Sequence, residues 1–103
     1  MSNDNREVLE GKQAQGKDES IQYTMTVSPA PTSIIGVYVY DSKTLDTDAK
    51  ATHMPSGAAS FVGNVVTFPL LTALVLNHMY RVEVRYSDGT NTLEPYFMVY
   101  CNR

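Results

Sequence analysis

Apolar and polar residues alternate with a period of two over much of this chain, most clearly near its end. Tyr80, Val82, Val84 and Tyr86 are separated by Arg81, Glu83 and Arg85, and Phe97, Val99 and Cys101 by Met98 and Tyr100. Successive side chains of a strand point to opposite faces, so this period predicts strands with one buried face. Ser87-Asp88-Gly89 breaks the run between them as a turn would. Upstream, Ile21, Tyr23, Met25 and Val27 alternate with Gln22, Thr24 and Thr26. Ser28-Pro29-Ala30-Pro31 ends that strand, because proline removes ladder donors. Ile35, Val37 and Val39 alternate with Ile34, Gly36, Tyr38 and Tyr40 in a second strand. Lys50 to Met54 is expected as a short third strand. Ala58–Val62 and Val65–Phe68 flank Gly63-Asn64, a two-residue hairpin signal, and Pro69 is expected to close the pair. Leu70 to Leu76 fits a short helix or an extended crossover; Thr72, Val75 and the flanking proline favour the crossover.

The resulting count of about seven short strands separated by turn signals predicts a single all-β domain, a sandwich or barrel, over residues 20–103. Residues 1–19 differ. Val8 and Leu9 are the only sizeable apolar residues after Met1, among many charges. Such a segment cannot bury enough surface to offset its ordering entropy. It reads as an N-terminal arm, either a tail or a docking arm anchored on a neighbouring subunit by Val8 and Leu9.

One local pattern narrows the fold. Leu74 precedes Tyr80 by six residues, and Asn77 stands three before it, where a left-handed turn is required. In fibronectin type III and related sandwiches this spacing forms a tyrosine corner, in which the hydroxyl bonds back to the loop backbone. The domain is therefore expected to be an immunoglobulin-like or fibronectin-III-like β-sandwich. The run from Ala58 to Cys101 resembles the small immunoglobulin-like accessory virion proteins of tailed bacteriophages: a small-residue strand, the Gly63-Asn64 hairpin, a Leu-rich crossover, Tyr80-Arg81-Val82-Glu83-Val84, and the Asp88-Gly89-Thr90 turn. Residues 17–27 resemble the first strand of the same group. The resemblance implies a structural protein at the neck, head–tail or fibre-attachment position, with capsid decoration close behind. It implies other virion proteins as partners (portal or connector, tail, fibre or major capsid protein), with self-association a further option. It also implies assembly in the bacterial host cytoplasm and location in the virion.

Composition narrows the chemistry. A chain of 103 residues, 43% hydrophobic and 18% charged, makes one domain with a real core. The net charge of -3, with scattered basic residues, argues against a nucleic-acid partner. Cys101 is the single cysteine, so no intrachain disulfide forms. Its inward phase favours a small buried hydrophobe over a reactive thiol. The N-terminus has no apolar signal segment. The longest apolar stretch, residues 69–76, falls far short of the roughly 20 residues that span a bilayer, so no membrane partner is expected. His53 and His78 lie in separate segments and are expected at turns or on the surface. Asp41, Asp46 and Asp48 cluster, but Lys43 and Lys50 oppose a cation there. No nucleophile–base–acid set or phosphate loop is evident. The expectation is a non-enzymatic protein without cofactor or metal.

The candidate interface lies in the tyrosines. Tyr38 and Tyr40 take the phase opposite Val37 and Val39, and Tyr96, Met98 and Tyr100 the phase opposite Phe97 and Val99. If the aliphatic faces form the core, these residues point outward. Three readings stand: the stripe meets a partner, the arm or crossover covers it, or the rings only line the strand surface.

Overall fold

The computed structural model describes residues 13–43, 48–55 and 57–103. Their elements are β1 (Gln13–Gln15), β2 (Ile21–Thr26), β3 (Ser33–Asp41), a single helical turn α1 (Lys50–His53), β4 (Ser60–Val62), β5 (Val65–Leu71), β6 (Met79–Ser87), β7 (Thr92–Leu93) and β8 (Tyr96–Cys101). The strands form two sheets. The larger runs β1-β8-β6-β3, with β7 also on β6, and the smaller runs β2-β5-β4. The pairing of β1 with β8 is parallel; every other strand pairing is antiparallel. The chain is thus predominantly β, in two layers compatible with a sandwich.

The inward residues of both sheets meet in one core. Met25, Val66, Phe68 and Leu71 come from the smaller sheet. Val37, Val39, Tyr80, Val82, Val84, Tyr86, Phe97, Val99 and Cys101 come from the larger. Phe68 meets Phe97 edge-on at 5.3 Å between ring centroids, and Tyr23 packs on Phe97 at 5.1 Å, so aromatic pairs bridge the layers. The two buried tyrosines of β6 are tethered at opposite ends of the strand. The Tyr80 hydroxyl accepts from the Val75 amide at 2.8 Å, and the Tyr86 hydroxyl donates to the Pro29 carbonyl at 2.7 Å. A buried hydroxyl needs such a partner, or its desolvation goes uncompensated.

Several expectations are corrected. The boundary after Glu19 falls inside the folded body, because Gln13–Gln15 lie along β8 in register Gln13↔Val99 to Gln15↔Cys101. Gln15 is fully buried. Its side-chain amide donates to the carbonyls of Leu71 at 2.7 Å and Glu19 at 2.9 Å, and its oxygen accepts from the Tyr23 hydroxyl at 3.0 Å. A short polar strand is held here by hydrogen bonds, which hydrophobic periodicity does not register. Val8 and Leu9 lie outside the described residues. Lys50 to Met54 is not a strand; Lys50–His53 form the helical turn, and Met54 is buried.

On β3 the pairing skips between Ile34 and Gly36, so Ile34 and Ile35 together face one step of β6. This bulge shifts the phase. Ile34 packs against the core, while Ile35 is exposed. Pro69 does not close the hairpin strand either, since β5 runs on to Leu71. The register slips opposite Gln22–Thr24, leaving an extra residue of β5 beside Pro69, where a missing donor is tolerated. The Gly63-Asn64 turn joins Val62 to Val65 with Gly63 at φ 60°, the left-handed first position that such a turn requires.

Candidate interaction face

The outward residues of β3, β6 and β8 form one surface, and strand register sets their rows. Tyr38 lies opposite Glu83, which lies opposite Tyr96. Tyr40 lies opposite Arg81, which lies opposite Met98, and Met79 lies opposite Tyr100. Tyr38, Tyr40, Tyr96, Met98 and Tyr100 therefore share a single outer face. Each is half-buried rather than fully exposed.

Their partial burial comes from the face itself. The Arg81 guanidinium lies 4.8 Å from the Tyr40 ring centroid and 5.7 Å from that of Tyr96. Arg85 lies 4.5 Å from the Tyr38 ring centroid. Cation–π contacts of this kind hold the aromatic rings and the guanidinium planes together. Gly36 makes room for Tyr38, because a Cβ at position 36 would come within 3.0 Å of the Tyr38 hydroxyl.

Glu83 sits beneath these residues, only 6% exposed although it faces outward. Arg81 Nε approaches its carboxylate at 3.3 Å and Arg85 Nη2 at 4.0 Å. Burial pushes the Glu83 carboxyl above its ordinary value, and the two arginines only partly counter this. Arg85 Nε lies 2.8 Å from Glu94, but its N–H is not aimed at the oxygen, so the contact is an ion pair rather than a hydrogen bond.

At the lower end of the same sheet, Asp41 Oδ2 and His78 Nδ1 are 2.7 Å apart. Burial tends to raise the Asp41 carboxyl, but the Lys43 amide and His78 outweigh it, and the group lies below its ordinary value. His53 is buried, not at the surface as expected. Its ring meets Tyr80 edge-on at 4.9 Å, and its Nδ1 lies 3.2 Å from the Thr72 carbonyl. Asp48 uses one carboxylate oxygen to accept from the amides of Val39 and Lys50, both at 3.0 Å. Among the described residues no three acidic, histidine or cysteine side chains are grouped to hold a metal ion. Cys101 is buried.

Leu74 is buried, Asn77 adopts φ 70°, and the Val75 amide donates to the Tyr80 hydroxyl at the head of β6. Sequence periodicity located the outward tyrosines. It missed Gln15 and the burial of Glu83, because a polar residue on an outward phase reads as solvated. No protein-family model, no curated protein and no solved structure matches the chain.

Proposed function

We propose that this chain is a non-enzymatic structural protein of a tailed-phage virion, joining larger proteins by surface contact at the neck, head–tail or fibre-attachment position. The observation that carries this reading is the outer face of β3, β6 and β8. It interleaves tyrosine, methionine and arginine, the residue types enriched at the centres of protein interfaces. The resemblance of residues 58–101 to phage accessory proteins supplies the setting. An immunoglobulin-like identity for the sandwich is supported by the strand orders β2-β5-β4 and β8-β6-β3 and by the hydroxyl of Tyr80 on the Val75 amide.

An adhesion or carbohydrate-binding module is the competing reading. Sugars stack on open aromatic faces, and here Arg81 and Arg85 already lie against the rings of Tyr40, Tyr96 and Tyr38. The chain also has no tryptophan. The deciding experiment is quantitative mass spectrometry of purified particles from the source, scaled to the major capsid protein. A few copies per particle support the adaptor. Near-stoichiometric copies move the protein to capsid decoration, and absence removes the virion reading.

A further inference from the structure

The two outward arginines of β6 are not equivalent. Arg85 has a neighbour at each nitrogen, as ion pairs with Glu94 at Nε and Glu83 at Nη2 and as a 3.4 Å hydrogen bond from Nη1 to the Tyr38 hydroxyl, with the Tyr38 ring beneath it. Arg81 is different. It is held between Tyr40 and Tyr96 and spends only Nε, on Glu83. Among the described residues its two terminal nitrogens meet no acceptor, and its side chain is 45% exposed. Of the acids near this face, Glu83 lies beneath the surface, Glu94 pairs with Arg85, and Asp48 beside Tyr40 turns one oxygen to the Val39 and Lys50 amides. Among the described residues of this face, the Arg81 fork is a guanidinium end that no acceptor meets, in a chain whose net charge is -3.

We infer that this face docks a partner protein segment that presents an Asp or Glu carboxylate to Arg81, flanked by apolar side chains. The inference rests on the proposed interface role of the same face. Three features fit that occupant. A guanidinium fixed by rings on its sides offers two parallel N–H donors, the geometry that a carboxylate accepts in bidentate fashion. Its order is established before binding, so little side-chain entropy is lost on docking. Met98, directly across from Arg81 in register, and Tyr96 and Tyr100 beside it provide the half-buried apolar border that would exclude water around the ion pair.

The test is selection of short synthetic peptides from a random library on the full-length chain, followed by affinity measurement and NMR mapping on the unaltered protein. The expected result is a set of peptides carrying an Asp or Glu between apolar residues and shifting the signals of Tyr40, Arg81, Tyr96 and Met98. Replacing that acid by its amide should weaken binding at least about tenfold, a change that needs no variant of the protein. Arg81→Lys, which keeps the charge but loses the fork and the stacking, should weaken it to a similar extent. Thr24→Lys, on the opposite sheet, should leave it unchanged. Peptides that map to this face but bind equally well as amides overturn the carboxylate inference and leave the interface reading standing. Peptides that map elsewhere, or a selection that enriches none, overturn both.

Discussion

The two outer faces of the molecule are built by the same alternation and come out unlike. The β2-β5-β4 sheet turns Gln22, Thr24, Thr26, Ser60, Val62, Val65, Thr67 and Leu70 outward, and none of its strands contains a charged residue. Val62 is 84% exposed there. The β3-β6-β8 face is knit together instead, with rings against guanidinium groups and a carboxylate buried beneath them. Alternation therefore dictates which side chains leave the core, but not whether they stand alone in water or cover one another. A face whose long side chains are already ordered loses less entropy when it binds, and this is why we propose it, rather than the other, as the docking face.

The comparison can be broken most severely by separating the two layers. Gln15 lies on a strand of the larger sheet and bonds to Leu71 of the smaller. Gln15→Leu keeps the approximate volume but leaves the Leu71 and Glu19 carbonyls and the Tyr23 hydroxyl without their partner. We expect a loss of about 2–3 kcal/mol in urea unfolding. A smaller contrast tests the faces directly. Tyr40→Ala removes the ring against Arg81 and should lower stability by about 1–2 kcal/mol. Thr67→Ala on the smooth face should stay within about 0.5 kcal/mol. Equal effects would mean that the ordered appearance of the tyrosine face carries no energy.

The smallest effect is in pH dependence, and it has opposite signs at two carboxyls of the patterned layer. The Glu83 carboxyl is raised in the folded chain, so folding favours its protonated form. Its unfavourable contribution is present above the raised value and fades as pH falls through it. The Asp41 carboxyl is lowered, so its contribution is favourable above its ordinary value and is lost as pH falls through the lowered one. Unfolding measured across this acid range should show the parent gaining stability relative to Glu83→Gln as pH falls. It should show the parent losing stability relative to Asp41→Asn at the acid end. The strands of the smooth sheet carry no Asp, Glu, His or Lys and should add no such slope.

How much of this was legible in the sequence follows from what periodicity can encode. Phe97, Val99 and Cys101 lie inward and Tyr96, Met98 and Tyr100 outward, as the alternation predicts. The Gly63-Asn64 turn was readable because the positive φ of its first position selects glycine. The inward phase was misread at Ile35, since one extra residue in a bulge inverts it and no composition signal marks the bulge. Lys50–His53 is too short for either period to decide between strand and helix. Gln15 and Glu83 escaped because the partners that bury them come from distant positions: Leu71 and Tyr23 for one, neighbouring strands for the other. The candidate interaction face was legible as a list of outward tyrosines. The setting of Arg81 was not, because it depends on rings brought together from β3 and β8.

The most direct test is hydroxyl-radical footprinting of the free protein against the protein in the virion to which we propose it belongs. The account predicts that Tyr40, Tyr96, Met98 and Tyr100 become protected on assembly while Val62, Val65 and Leu70 stay as reactive as in the free chain. Protection of the valine-bearing face, with the tyrosine face unchanged, would contradict it.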